Sequence, residues 1–224
     1  MEGKKTLVAA TTNEHKITEI SAIADSFGYD VLSRAEAGVP DFEIDETGAT
    51  FEENARLKAK TIFDFLGGEA AVVADDSGIE VDALGGAPGV YSARFAGLDE
   101  PDAIDFAAAD RDTEQLHRSR QDRANNAKLL RLMADVPCGE RGARFVSVIA
   151  CIMPGRDPVI CRGEVEGQID FKETGAGGFG YDPLFLPDGY ECSFGLFKPE
   201  DKNAISHRGR ALAQLAEKLA GQQI

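Results

Sequence analysis

Hydrophobic residues along this chain follow two spacings, one typical of strands and one typical of helices. Short apolar runs at 6–10, 29–32 and 70–74 predict buried strands. Residues 159–169 alternate between apolar and polar, as a strand with one exposed face does. The apolar run at 143–153 precedes it across a Pro-Gly turn, so these two strands are predicted to form an antiparallel hairpin.

Two segments in the first third repeat apolar residues every three or four positions, which predicts helices. The first helix follows a polar turn at 11–16 and stops at Gly28. The second begins with a capping box formed by Thr50 and Glu53 and ends near Leu66.

Two further helices are predicted in the second half of the chain. One spans 122–133, with Ala127 and Met133 among its inward residues, and the other opens over 202–210. The segment 98–123 is charge-dense around an alanine-rich centre and predicts mostly exposed helix.

Composition adds size, charge and compartment. With 224 residues the chain is long enough for one large domain or two joined lobes. Its net charge of −15 argues against a nucleic-acid-binding surface, because such surfaces are basic. The apolar runs are too short for a bilayer, and the opening residues are not expected to form a secretory signal. The four cysteines lack C-x-x-C spacing and Cys151 and Cys161 are predicted to be buried thiols, so a cytoplasmic protein is expected.

Two adjacent carboxylates, Asp75 and Asp76, follow the predicted strand at 70–74. Neighbouring strand residues point to opposite faces, so only one carboxylate is expected to face a given cleft. A cation offsets the cost of burying such groups, and Mg²⁺ prefers one or two carboxylates together with phosphate oxygens. Ser77 and Gly78 are predicted to turn the chain, and the alternative is that the whole segment is only a polar turn.

The polar turn at 11–16 lies between a strand and a helix, an arrangement that presents backbone N–H groups to a phosphate. Asn13 and Lys16 share the first helical turn, where one offers an amide and the other a positive charge. Alternatively, Asn13 is simply the N-cap.

A second polar segment, 41–48, carries four acidic residues and by itself predicts a solvated loop. Asn54 and Lys58 follow it, four residues apart on the predicted helix. They lie away from its apolar stripe, in a position to face a cleft.

Four glycines lie among residues 175–183, which allows a backbone to approach a ligand closely. Phe179 and Tyr181 offer rings for stacking on a base, a contact worth about 1–3 kcal/mol. Asp182 offers an acceptor to base or ribose. The alternative is a flexible hairpin connection.

Three cationic side chains lie near the start of the C-terminal helix: Lys202, His207 and Arg208. The helix dipole adds positive potential there, so these side chains are electrostatically unfavourable without a partner. They predict an anionic or carbonyl-rich ligand.

Together these segments resemble the inosine/xanthosine triphosphate pyrophosphatase family, the Ham1-like or RdgB-like proteins. They occur in family order and span nearly the whole chain. The matching segments are Thr11-Thr12-Asn13-Glu14-His15-Lys16, Glu46-Thr47-Gly48, Phe51-Glu52-Glu53-Asn54-Ala55, Ala74-Asp75-Asp76-Ser77-Gly78, Gly85-Gly86-Ala87-Pro88-Gly89-Val90-Tyr91-Ser92-Ala93-Arg94, Gly178-Phe179-Gly180-Tyr181-Asp182-Pro183 and Ser206-His207-Arg208.

The resemblance implies an α/β fold, with a long twisted mixed β-sheet flanked by helices. It implies a single Ham1-like domain over 1–224 whose two lobes hold a nucleotide cleft between them. The implied activity is Mg²⁺-dependent hydrolysis of ITP, dITP and XTP to the monophosphate and pyrophosphate by a homodimer, which cleanses the nucleotide pool. The segment 98–123 looks longer than the family pattern, which leaves the local dimer surface open.

The resemblance also implies roles for individual residues. Asp76 matches the general base and a metal ligand, and Ser77 matches a substrate contact. The second metal-linked carboxylate falls at Glu46, with Asp45 as the alternative. The other implied substrate contacts are Thr11, Thr12, Asn13, Glu14, His15, Lys16, Phe179, Gly180, Tyr181, Asp182, Lys202, His207 and Arg208.

Two other functions compete with this one. A Maf-like pyrophosphatase acting on modified nucleotides is disfavoured by the Ser206-His207-Arg208 motif and by the Gly-Phe-Gly-Tyr-Asp loop. A nucleotide-binding sensor that does not hydrolyse is disfavoured by Asp76, Lys16 and an acidic metal partner. Within the first hypothesis, His207 and Arg208 are expected to recognise the 6-oxo edge of the purine.

Overall fold

The structure, a computed structural model, describes residues 4–98 and 111–221, with side chains at 120–220 in the second range. Residues 99–110 of the predicted exposed helix therefore lie outside the described residues. The described strands are β1 (Lys5–Ala9), β2 (Tyr29–Leu32), β3 (Val72–Val81), β4 (Gly142–Ile152), β5 (Val159–Ile169) and β6 (Phe185–Pro187). The described α-helices are α1 (Glu14–Asp25), α2 (Phe51–Phe65), α3 (Arg111–Leu132), α4 (Pro199–Ile205) and α5 (His207–Gly221).

The described strands form one six-stranded sheet in the order β2-β1-β3-β4-β5-β6. β1 is parallel to both β2 and β3, with Val8 opposite Val72, whereas β5 and β6 are antiparallel, with Gln168 opposite Leu186. The sheet is therefore mixed. Flanking helices complete the predicted α/β class, which is confirmed.

The chain divides into two compact units. The first comprises residues 4–77, 146–164 and 203–221 of the described chain, and the second comprises 78–98, 111–145 and 165–202. Strands β3, β4 and β5 each contribute residues to both units.

The core of the first unit packs α1 and α5 on the sheet through apolar side chains that include Ile20, Ile149 and Leu215. Cys151 and Cys161 belong to this core, as predicted, and burial raises the pKa of the Cys151 thiol to about 12. In the second unit the rings of Phe145 and Phe185 are in edge contact, with centroids 4.7 Å apart.

Strand β3 corrects one prediction. Ser77 and Gly78 do not turn the chain, because the strand continues without interruption from Val72 to Val81. Gly78 is required there for a packing reason: a Cβ atom would collide with the Ser92 hydroxyl and would lie 2.6 Å from the Gly89 carbonyl oxygen. The short 3₁₀ helix Gly89–Arg94 thus packs directly on the strand.

Two helix predictions also change. In α3 the buried face carries Asn125, Asn126 and Leu129, whereas Ala127 is exposed and was wrongly placed inward. Because this face carries polar residues, the spacing of apolar residues did not predict it. Residues 202–210 were predicted to begin a single C-terminal helix. They are instead divided between α4, which contains Lys202, and α5.

Gly163 on β5 packs closely against the backbone at the start of α5. A Cβ atom there would overlap the carbonyl oxygen of His207 and would lie 2.5 Å from the backbone nitrogen of Ala211. Glycine at this position therefore sets the depth at which the N-terminus of α5 sits on the sheet. Among the described residues, no helix is both long and apolar enough to cross a membrane.

We expect Gly163→Ala to lower the free energy of unfolding by roughly 1–3 kcal/mol, because α5 must move to admit the methyl group. Urea unfolding followed by circular dichroism measures the change. Gly97→Ala is the matched control, since a Cβ atom at Gly97 meets nothing within 4 Å. Equal stabilities of the two variants would contradict the close approach.

Candidate active site

Asp75, near the middle of β3, is a buried charge of the first unit, with 1% of its surface exposed. Its carboxylate accepts hydrogen bonds from Ser147 Oγ at 2.6 Å and from Arg208 Nη2 at 3.1 Å. Lys16 Nζ lies 2.7 Å from Asp75 Oδ2, and Ser77 Oγ donates to the same oxygen at 3.0 Å. We call these five residues the Asp75 cluster.

The cluster keeps Asp75 ionised. Burial alone would raise the pKa of Asp75, but the charges of Arg208 and Lys16 outweigh burial and hold the pKa well below its usual value. For Lys16 the balance is reversed: burial lowers its pKa, and attraction to Asp75 opposes only part of the shift. The Lys16 ammonium is thus a poorly hydrated cation, suited to binding an anion.

Arg208, a member of the Asp75 cluster, is also buried, with 1% of its surface exposed. Its guanidinium donates to Asp75, to Ser77 Oγ at 2.8 Å and to Glu19 on α1. These contacts fix Arg208 between α1, β3 and the start of α5. Arg208, which was predicted to contact the substrate, therefore lies where it orients Asp75 and Ser77.

Asp76 points to the other side of β3 and enters a second cluster, as strand alternation predicts. Lys58 Nζ lies 2.6 Å from Asp76 Oδ1 and 3.1 Å from Glu46 Oε1, so one ammonium bridges two carboxylates. The other oxygen, Asp76 Oδ2, is buried and has no hydrogen-bond partner among the described residues. We call Asp76, Glu46 and Lys58 the Asp76 cluster.

The two neighbouring carboxyls differ in pKa direction. Burial raises the pKa of Asp76, and Lys58 and Lys16 offset only part of that effect. For Lys58, burial is the largest single influence, but the combined attraction of Asp76 and Glu46 outweighs it and raises the pKa. When the pKa values of two neighbouring acids are shifted in opposite directions, one commonly serves as a base or acid while the other stays ionised.

The acidic loop that carries Glu46 is tied down on both sides. Arg34 Nη2 donates to the carbonyl oxygens of Pro40 and Phe42, at 3.1 and 3.0 Å. At the other end, the Gly48 N–H donates to Asn54 Oδ1 at 2.8 Å. The solvated-loop prediction is therefore confirmed for three of the four acidic side chains, which are exposed, although the backbone of the loop is anchored at both ends.

The anchored loop places the two candidate metal ligands differently. Glu46 is half-buried beside Lys58, whereas Asp45 is exposed. Lys58 itself was predicted only to face a cleft. Its spacing from Asn54 was the sequence feature that pointed to it.

Asn13 is the N-cap of α1, and its Oδ1 accepts from the N–H groups of His15 and Lys16 at 3.0 and 3.3 Å. The alternative that Asn13 is the N-cap of the helix is therefore confirmed. Thr11 Oγ1 accepts from the Asn13 N–H at 3.1 Å. The neighbouring side chains Thr12, Glu14 and His15 are exposed, whereas Lys16 reaches the Asp75 cluster.

In the second unit, Asp182 organises the predicted base-contacting loop. Its Oδ2 accepts from Lys202 Nζ at 2.6 Å and from the Phe179 N–H at 2.8 Å. Lys202 Nζ also lies 4.8 Å from the centre of the Phe179 ring, a cation–π contact. Tyr181 is 3% exposed and its hydroxyl donates to the Ser92 carbonyl at 2.9 Å, so its ring is packed inside the unit.

Phe179 is therefore the half-buried aromatic ring of this loop, whereas Asp182 and Tyr181 support it. His207 is buried at the first position of α5, in the first unit.

The described residues contain no group of three or more His, Cys, Asp or Glu side chains that could by themselves hold a metal ion. Asp76 and Glu46 nevertheless fit a hard cation with substrate oxygens as further ligands, since Asp76 Oδ2 is a buried acceptor without a partner in the described chain.

Comparison with known proteins adds to this geometry. The model of the Ham1 family matches residues 7–218. The chain is 44% identical over 209 residues to a dITP/XTP pyrophosphatase of Exiguobacterium sibiricum, covering 93% of this chain and 94% of that protein. It is 44% identical over 215 residues to a dITP/XTP pyrophosphatase of Pseudomonas aeruginosa, covering 95% and 96%.

A solved structure agrees as well. The Staphylococcus aureus Ham1 protein superposes with a TM-score of 0.77 at 36% sequence identity, covering 98% of this chain and all of that one (100%). The resemblance inferred from the ordered motifs is confirmed by family, by sequence and by fold. The chain belongs to the Ham1 family.

Proposed function

We propose that this chain hydrolyses deaminated purine nucleoside triphosphates, namely dITP, ITP and XTP, to the monophosphate and pyrophosphate. The names of its relatives, dITP/XTP pyrophosphatases at 44% identity over nearly their whole length, support this activity. The structural observation that carries it is the pair of adjacent carboxyls with separate cation partners, Lys16 for Asp75 and Lys58 for Asp76.

Asp76 and Glu46 are proposed to hold Mg²⁺. Mg²⁺ is bound in proteins by one or two carboxylates together with substrate phosphate oxygens, and it neutralises charge that builds on phosphate oxygens. In the structure the Lys58 ammonium already lies between these two carboxylates, which marks the place as one that favours positive charge.

Asp76 is proposed to orient and deprotonate the attacking water. Its buried Oδ2 has no hydrogen-bond partner among the described residues, and general base catalysis contributes about 10²–10⁴-fold. Asp75 remains ionised and holds the Lys16 ammonium in place. Lys16 then faces the negative charge of the triphosphate and of the leaving pyrophosphate.

Substrate recognition is proposed to use two sets of residues. Lys16 and the turn at 11–15 that precedes it bind phosphate. Phe179 stacks on the base, with Lys202 beside its ring, while Gly180, Tyr181 and Asp182 set the loop that carries it. His207 and Ser77 contact the substrate, and Arg208 acts through Asp75 and Ser77.

The protein is further proposed to act as a homodimer in the cytoplasm. Its four cysteines are free thiols, which suits a reducing compartment. A Maf-like activity on modified nucleotides and a non-hydrolysing sensor are the competing functions. Incubation with ITP and Mg²⁺ separates them, because only the proposed activity releases pyrophosphate from ITP.

We expect Asp76→Asn to fold normally but to lose about 10²–10⁴-fold in kcat for dITP, since the base is removed while the side-chain shape remains. Pyrophosphate release measures the loss, and thermal unfolding checks the fold. Asp157→Asn is the control, because Asp157 is an exposed carboxylate on the β4–β5 turn. Turnover by Asp76→Asn close to that of the wild type would remove Asp76 from the mechanism.

We expect Glu46→Gln to raise the Mg²⁺ concentration needed for half-maximal activity by roughly tenfold or more, because a neutral amide is a weaker ligand than a carboxylate. Asp45→Asn, one residue away in the same loop, is the control and leaves the requirement nearly unchanged. The measurement is a Mg²⁺ titration at fixed dITP. The opposite pattern would assign the metal to Asp45.

A further inference from the structure

Helix α3 holds the predicted base-contacting loop through both backbone polar groups of a single residue, Gly180. Asp122 Oδ2 accepts from the Gly180 N–H at 2.8 Å, and Asn126 Nδ2 donates to the Gly180 carbonyl oxygen at 3.1 Å. Asp122 and Asn126 are four residues apart, so they project from the same side of α3. We call this pair the Gly180 clamp.

Gly180 needs such a clamp because of its backbone conformation. Its φ is +61°, in the left-handed region, and it lies between Phe179 and Tyr181. Gly178, two residues earlier, is also left-handed, with φ of +72°. A glycine-rich loop has many accessible conformations, so contacts from outside the loop must select one.

The same face of α3 reaches a second segment of this unit. Asn125 Nδ2 donates to the carbonyl oxygens of Ser92 and Ala93 at 3.2 and 3.1 Å. The Tyr181 hydroxyl donates to that same Ser92 carbonyl oxygen. The loop and the 3₁₀ helix at 89–94 are thus both anchored to the helix that carries the Gly180 clamp.

Folding stability does not account for Asn126. It is 2% exposed, and its Oδ1 is buried without a hydrogen-bond partner among the described residues. A buried amide with one satisfied group and one unsatisfied group is destabilising relative to an apolar residue of similar size. Among the residues that the structure describes, its side-chain hydrogen bond is to the Gly180 carbonyl oxygen.

We propose that Asp122 and Asn126 are positioning residues for base recognition. By fixing the backbone N–H and carbonyl oxygen of Gly180, they set the Phe179 ring in the orientation that accepts a deaminated purine. This inference rests on the proposed function. Neither residue is assigned a contact with the base or with the reacting phosphate. Their loss therefore affects KM and the choice of base, whereas kcat depends on the Asp76 cluster.

The test compares Asp122→Ala, Asp122→Asn and Asn126→Ala with wild type, measuring kcat and KM for dITP and for dGTP by pyrophosphate release. For Asp122→Ala and Asn126→Ala we expect about a tenfold fall in the dITP-to-dGTP ratio of kcat/KM, carried by KM. Asp122→Asn retains an oxygen acceptor for the Gly180 N–H and is expected to restore most of the ratio.

Two controls accompany these variants. Asp135→Asn removes an exposed carboxylate just beyond the end of α3 and should leave both KM values unchanged. Hydrogen–deuterium exchange of 175–183 reports the clamp directly, and exchange should become faster in Asp122→Ala and Asn126→Ala. A purely structural role would instead lower thermal stability and reduce activity on both nucleotides alike.

The outcomes separate this inference from the proposed function. Active wild-type protein whose variants keep its dITP-to-dGTP ratio and KM values contradicts the inference alone, even if the loop exchanges faster. Wild-type protein that releases no pyrophosphate from dITP, ITP or XTP contradicts the proposed function and removes the inference with it. A selective loss in Asp122→Ala, restored in Asp122→Asn, supports both.

Discussion

The ionised carboxylate of Asp75, buried in the middle of a strand, constrains the first unit more than any other interaction does. A buried charge is tolerated only when it is paired and hydrogen-bonded, and removing one partner of such a pair typically costs about 3–5 kcal/mol. Here the partners come from four elements: Lys16 from α1, Ser77 from β3 itself, Ser147 from β4 and Arg208 from α5. Satisfying one carboxylate thus fixes the helix starts that carry the polar turn at 11–16 and His207.

Strand alternation then assigns the adjacent residue a different environment. Asp76 emerges on the opposite face of β3, where its partner is the single ammonium of Lys58, shared with Glu46. Because burial is only partly compensated there, the Asp76 carboxyl is easier to protonate than an ordinary aspartate, whereas Asp75 is harder. Two chemically identical side chains in sequence become a structural charge and a candidate base.

The second unit meets a different difficulty, the ordering of a loop rich in glycine. Backbone hydrogen bonds, such as that from the Gly177 N–H to the Gly195 carbonyl oxygen at 2.9 Å, hold part of this loop, and side chains hold the rest. Asp182 accepts hydrogen bonds from Lys202 and from the Phe179 N–H. Side chains of α3 bind both the N–H and the carbonyl oxygen of Gly180. The polar face of α3 is consequently as important for the loop as an apolar stripe is for the core.

The sequence by itself determined the fold class, the order of most strands and helices, the buried cysteines and the family, because apolar periodicity and ordered motifs are local properties of the chain. It also identified Asp76, Lys16 and Glu46 as candidates. It misjudged Ser77-Gly78, whose strand conformation depends on the packing of the 3₁₀ helix at 89–94 against Gly78.

Only the tertiary structure decided the partners. Nothing local in the sequence distinguishes the environment of Asp75 from that of Asp76, or connects Asp122 with Gly180 across 58 residues. Ion pairs and hydrogen bonds of this kind join residues distant in the chain, and their strength depends on burial, which is set when the whole unit folds.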